Sequence, residues 1–237
     1  MARDPRKHQQ KLARRKAKEK SKAQRKSSFS LPAFGIAGQL RRASAAPVLH
    51  SCRSGRLWEF GIGHVLLSRS YPTGHVTFAA FLVDVFCLGV KDTFFNVAPR
   101  SKYERDLYGR MSRQDDLVEM APEAARKLVE GAVAYAEELG LPPHPDYRKA
   151  REIFGDIDAA ACREDFEYGR KGKPYFVGGP NDGPEKCRRI MNTLTHRLGH
   201  DGFHFTMPVN PSELELSDSE DAIIHIDRRG RLIRIPH

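Results

Sequence analysis

Asp84 has the least ordinary setting of any polar residue in the chain. It interrupts Leu82-Val83-Asp84-Val85-Phe86-Cys87-Leu88-Gly89-Val90, a run apolar on both faces of a strand. A carboxylate is expensive to bury without a partner, so Asp84 requires Lys91, Arg69 or a metal ion beside it. One reading makes Asp84 a catalytic or metal-binding acid emerging from a central strand, as in two-metal nucleases, with Lys91 and Asp92 along the same edge. The plainer reading is a structural aspartate bonded to backbone amides or to a lysine. Asp156 and Asp158, in Gly155-Asp156-Ile157-Asp158, supply two more carboxylates that suit a hard cation if the fold brings them to Asp84. Otherwise they form an Asp-rich turn at a helix end.

His196, His200 and His204 follow an HxxxHxxxH spacing. Histidines four apart share a face of an unbroken helix and can hold zinc, which makes His196 and His200 metal candidates. Gly199 and Gly202 break that helix, and no HExxH glutamate stands between the histidines, so solvated or hydrogen-bonded histidines are the simpler expectation. Gly178-Gly179-Pro180-Asn181-Asp182-Gly183-Pro184 precedes a helix and offers amides to a phosphate, with Arg188 and Arg189 as possible aids. It lacks both the Walker lysine pattern and GxGxxG. No GxSxG nucleophile is present, and Cys87, within the apolar run, is expected to be buried and inert. No cofactor is implied.

Charge carries a different signal. Residues 1–26 hold 12 Lys and Arg against Asp4 and Glu19, a net of +10, which is the whole net charge of the 237-residue chain. The remaining 28 basic and 28 acidic residues cancel. A neutral globule with a cationic arm is implied, rather than a basic fold. Arg3, Arg6, Lys7, Lys11, Arg14, Arg15, Lys16, Lys18, Lys20, Lys22, Arg25 and Lys26 are the candidate nucleic-acid contacts. The partner is nucleic acid or another polyanion, and a solubilising tail is the alternative. Phe29 and Phe34 nearby could stack on bases, but no RNA-recognition aromatic box appears.

The elements that must position these residues are mixed. Residues 1–28 bury too little apolar surface to order alone and are expected to be a disordered basic tail. Residues 29–56, rich in Ser, Ala, Gly and Pro, read as a linker. A single domain then runs over 57–237. Trp58 to Arg69 and His75 to Gly89 form a hairpin across Tyr71-Pro72-Thr73-Gly74, the second strand covered on both faces. Thr93 to Val97 continues the sheet. Pro122 opens and Gly140 closes a helix striped by Ala125, Leu128, Val129, Ala132, Ala136 and Leu139. A short helix follows over about 146–154. A second hairpin joins Asp165–Gly169 to Pro174–Val177 across Arg170-Lys171-Gly172-Lys173. A helix starts at Asp182-Gly183-Pro184 and ends at Gly199, with Cys187, Ile190, Met191, Leu194 and Leu198 on one side. Phe203, Phe205 and Met207 alternate as a strand. An acidic linker (212–221) leads to a last hairpin of Ala222–Asp227 with Leu232–Ile235. Hairpins dominate, so the fold class is α+β, with a largely antiparallel sheet and two or three packed helices.

Three segments together carry a resemblance: Leu82 to Asp92, Leu141-Pro142-Pro143-His144-Pro145-Asp146-Tyr147, and Phe166 to Pro180 with its Gly169-Arg170-Lys171-Gly172-Lys173-Pro174 core. They are similar to a family of uncharacterised bacterial proteins that share an "LVD–CLGVKD" strand, a "PHPD" segment after a helix and an "FGxxGKPxxxxGP" hairpin. The resemblance covers roughly Trp58 to Leu198, and the basic segment lies outside it. Some members look to be joined to a Cys-rich zinc motif of the SEC-C type, which this chain lacks. The resemblance implies one domain and adds no chemistry.

Cys52, Cys87, Cys162 and Cys187 form no CxxC pair. A cysteine zinc site is therefore not expected, and reduced thiols in a cytoplasmic setting are. No apolar run reaches the roughly 18 residues of a membrane span. Three functions are compatible with these residues: a nucleic-acid-associated protein, RNA or ribosome linked, that works through its arm; a metal-dependent hydrolase or nuclease; and an adaptor for a protein partner.

Overall fold

The computed structural model describes residues 36–179, 182–206, 223–226 and 232–235. Its centre is a five-stranded sheet, antiparallel at every pairing. The strands are β1 (Val48–Ser54), β2 (Ile62–Ser70), β3 (His75–Asp84), β4 (Gly89–Pro99) and β5 (Leu117–Glu119), in the order β4-β3-β2-β1-β5. Helices pack on both faces, so the fold is α+β. β3 is buried on both faces over most of its length, as its two-sided apolar sequence predicts.

On one face Val65, Leu67, Ala79, Phe81 and Val83 meet Leu128, Val129 and Ala132 of α5 (Pro122–Glu138). Leu40 and Ala43 of α1 (Ile36–Ala43) complete that layer, together with Tyr147 and Ala150 of α6 (Tyr147–Ala150). On the other face Leu66, Val76, Phe78 and Ala80 meet Tyr103 and Met111. These two belong to a helical segment built from α3 (Arg100–Tyr103), a π-helical turn (Glu104–Tyr108) and α4 (Gly109–Asp115). Burying a large side chain in such a layer contributes roughly 1.5–3 kcal/mol, which is why the residues alternate so regularly along β2 and β3.

Gly89 sits at φ +62, where a Cβ would lie 2.8 Å from the Ala132 carbonyl oxygen. Its lack of a side chain lets α5 rest directly on the start of β4. A third cluster lies beyond that point. Cys87, Leu88, Leu139 and Leu141 pack there against Cys187, Ile190, Met191 and Leu194 of α7 (Pro184–Leu198) and against Phe176 and Phe203. Pro184 at the first turn and Gly199 beyond the last one set the ends of α7, as read from the sequence.

Three expectations are corrected. Residues 29–56 are not simply a linker. Their described part contains α1 and β1, and β1 sits inside the sheet between β2 and β5. Position in the sheet, not local propensity, makes Val48–Ser54 a strand, because both of its neighbours are supplied from elsewhere in the chain. The segment from Trp58 is first a helical turn, α2 (Leu57–Phe60), with β2 starting only at Ile62. The second hairpin closes only at an Arg170–Lys173 bridge. Beyond it, β6 (Tyr175–Val177) pairs in parallel with β7 (His204–Thr206) rather than with 165–169. The last hairpin is present as β8 (Ile223–Ile226) antiparallel to β9 (Leu232–Ile235). The expected basic tail and the acidic linker (212–221) lie outside the described residues. Among the described residues no helix is long and apolar enough to cross a membrane.

Candidate functional site

Asp84 ends β3 and is only 5% exposed. Its Oδ1 accepts the backbone N–H groups of Phe86 (3.0 Å) and Cys87 (2.9 Å), so the carboxylate holds the turn from β3 to β4. Burial raises its pKa to about 6, against the opposing pull of Lys91 and of the Cys87, Phe86 and Leu88 amides. The expensive group is accounted for by backbone donors, which is the structural reading of this residue.

Lys91 is turned to other work. Its Nζ lies 3.0 Å from Oδ2 of Asp182, whose side chain is 4% exposed. Asp182 also accepts the Gly179 N–H at 3.0 Å and pairs with Lys186 at 2.7 Å. Burial pushes the Asp182 carboxyl up, but Lys186, the Gly179 amide and Lys91 outweigh it and hold the group down at about 2. The glycine-rich loop is therefore latched by its own carboxylate at Gly179, one of the amides a phosphate would use.

The other predicted metal ligands stay apart. Asp92 is 68% exposed, accepts its neighbour's Thr93 N–H, and lies 3.7 Å from His144 Nε2. Asp156 is 82% exposed and 3.5 Å from Arg69. Arg69 is itself buried and donates to the carbonyls of Ala46, Ile153 and Phe154. Asp158 caps the 3-10 turn Ala159–Ala161 by accepting the Ala160 N–H. In the β2–β3 register Asp84 lies opposite Ile62 and Arg69 lies opposite Thr77. Seven strand residues separate those positions, about 23 Å at roughly 3.3 Å per residue. A side chain cannot cross that gap, so Asp84 and Asp156 cannot share an ion. His196 and His200 are both exposed, and no group of three or more His, Cys, Asp or Glu that could hold a metal occurs among the described residues. The twelve basic residues from Arg3 to Lys26 lie outside them.

Where the structure does gather polar groups, sequence reasoning had seen only a linker. His50 of β1 stacks on Tyr108 of the π-helical turn, with ring centroids 4.0 Å apart and planes 8° apart. Its Nδ1 lies 2.9 Å from the Tyr103 hydroxyl, which donates to Ser68 Oγ at 2.9 Å. Ser68 Oγ also accepts the His50 backbone N–H at 3.0 Å. The Tyr103 hydroxyl has one proton and spends it on Ser68, so it can only accept from His50. Nδ1 therefore carries the imidazole proton and Nε2 keeps its lone pair. Burial lowers the pKa of His50, which keeps the ring neutral around pH 7.

His50 lines a cleft of about 530 Å³ together with Ser51, Cys52, Tyr108, Glu119 and Pro122. Ser51 Oγ is buried without a hydrogen-bond partner among the described residues. The cleft offers an acceptor nitrogen and a carboxylate, which suits binding a ligand that carries donors, while the Ser51 hydroxyl is buried on the other face of β1. It offers no nucleophile, because burial, with Glu119, raises the Cys52 thiol to about 12. π-Helical turns are rare and recur at functional sites. The only sequence signal for this cluster was a histidine beside Ser51 and Cys52, and its partners stand 18 and 53 residues away.

No family model matches the chain, and no curated protein and no solved structure does either.

Proposed function

We propose that this protein is a nucleic-acid-associated binding protein, RNA or ribosome linked, whose basic N-terminal segment makes the phosphate contacts. The observation that carries the reading is the confinement of the entire net charge of +10 to residues 1–26. Dense blocks of like charge are commonly interaction tails, and a polyanion releases counterions for each phosphate such a block neutralises. The carboxylates of the domain support the same reading by default. Asp84 and Asp158 serve backbone amides, Asp182 serves two lysines, and Asp92 and Asp156 lie at the surface. A hydrolytic metal site built from Asp84, Asp92, Asp156 and Asp158 thereby loses its ligand set.

The test compares the full chain with a full-length variant in which the twelve Lys and Arg of residues 3–26 are replaced by Gln. Fluorescence anisotropy with a labelled RNA of about twenty nucleotides is expected to show at least a hundredfold loss of affinity in the variant at low salt. Equal binding by both proteins overturns the reading.

A further inference from the structure

We infer that the domain carries a stacking surface for the unpaired bases of a single-stranded nucleic acid, formed by Arg53, Arg56, Trp58, Phe60, Arg170 and Tyr175. This deepens the nucleic-acid reading above and rests on it. Three arginines lie over aromatic rings along one edge. The guanidinium of Arg53 sits 4.9 Å from the Trp58 ring centroid, that of Arg56 4.1 Å from Phe60, and that of Arg170 5.0 Å from Tyr175 and 6.0 Å from Phe86. Phe166 stacks on Trp58 at 5.8 Å and 17°.

The backbone joins these pairs into one strip. Trp58 and Phe60 share the single turn of α2. Gly61 follows at φ +75, and the Phe86 ring lies where its Cβ would stand. Val85 donates to the Gly61 carbonyl, Gly169 to that of Val85, and Tyr175 to that of Phe86. These bonds tie α2, through the buried β3–β4 turn, to Gly169 and Tyr175, so the exposed pairs flank one buried backbone link.

The chemistry matches bases better than an apolar partner. Phe60 is 54% exposed, so a large ring faces solvent beside a cation. Arg170 is exposed and forms no ion pair or side-chain hydrogen bond among the described residues, which leaves its in-plane donors for phosphate or base edges. Lys171 and Lys173 flank it on the same exposed turn, and Lys173 reaches the Asp201 carbonyl. Glu59 pairs with Arg56, Asp116 also acts on Arg56, and Glu167 is exposed at the Trp58 end. Single-stranded bases stack on aromatic rings and on guanidinium planes, whereas a duplex keeps its bases stacked on each other and presents phosphates. Charge complementarity comes from the same chain, whose basic segment would hold the strand while the strip takes its bases.

Trp58 is the only tryptophan in the sequence, so its emission reports on the strip directly. The full chain is titrated with oligo(U), oligo(dT) and a duplex of equal length, following both tryptophan emission and anisotropy. Saturable quenching by the single strands and none by the duplex is expected, and the stronger of the two single strands identifies the preferred backbone. Phe60→Ala and Arg170→Ala, at exposed positions, are each expected to weaken single-strand binding about tenfold and duplex binding less than about twofold. The strip is overturned if single strands bind with unchanged Trp58 emission and unchanged affinity in both variants, or if the duplex quenches equally. The Gln-substituted chain separates the two readings. Unaltered affinity there removes the role of the basic segment, while a large loss of affinity with no quenching in the parent chain removes only the strip.

Discussion

Asp84 and Asp182 are both buried carboxylates, and their surroundings drive them in opposite directions. Asp84 has two backbone amides and, among the described residues, no side-chain ion pair, and burial lifts it to about 6. Asp182 has two lysines and an amide, and these hold it at about 2. The decisive difference is Lys91, which lies near enough to act on Asp84 yet gives its hydrogen bond to Asp182. A buried acid is thus poor evidence of catalysis until the destination of the nearest cation is known. The sequence shows Asp84 as the anomaly. The molecule invests its ion pair 91 residues away from Lys91, in a loop that read as a phosphate cradle.

The largest effect is expected at the latch. Asp182→Ala leaves Lys91 buried without its partner and should cost about 3 kcal/mol in urea unfolding, as breaking a buried pair does. Asp84→Ala strands two buried amides and should cost about 2 kcal/mol. Asp84→Asn keeps an accepting oxygen without the buried charge and should be at least as stable as the parent at pH 7. If Asp84→Asn were as damaging as Asp84→Ala, the charge itself would matter and the structural reading of Asp84 would be wrong.

Unfolding as a function of pH sharpens the contrast further. Asp84 holds its proton more tightly when folded, so its contribution to stability falls as pH rises from 3.8 through about 6. Asp182 holds its proton less tightly when folded, so its contribution is complete above 3.8 and is lost as pH falls toward 2. Asp84→Asn should flatten the first slope and Asp182→Asn the second. Slopes unchanged in both variants would contradict the assignment. The smallest effect is expected at His50, whose lowered pKa means that stability is complete above about 6.5 and declines as pH falls below it. His50→Gln should remove that decline, read as the same unfolding curve between pH 7 and 5.

Legibility followed the range of the interactions. β3 announced itself through two apolar faces, α5 and α7 through a stripe bounded by Pro and Gly, and the β2–β3 turn through Tyr71-Pro72-Thr73-Gly74. Each of these signals is contained in fewer than twenty residues. β1 failed the same test. Val48-Leu49-His50-Ser51-Cys52-Arg53-Ser54 has mixed polarity, because Ser51 and Arg53 face α5 while His50 and Cys52 face the Tyr103 layer, and neither face is uniformly apolar. The parallel β6–β7 pair was hidden for a related reason. Its strands are three residues long and joined through α7, so no turn signal marks the pairing. At the site, the sequence identified the costly acid and the glycine loop but not their partners. Asp182 as the acceptor for Lys91, and Tyr103 and Ser68 as the partners of His50, are long-range choices that composition does not encode.

The central claim is that phosphate contacts are concentrated in residues 1–26, and the dependence of RNA affinity on salt tests it most directly. For the full chain, the logarithm of the binding constant should fall linearly with the logarithm of salt, at about −0.7 per phosphate contacted on a single strand, giving a slope of several units overall. In the full-length variant with the twelve basic residues replaced by Gln, the slope should collapse toward zero. A slope that survives those replacements would place the phosphate contacts in the folded domain and contradict the account.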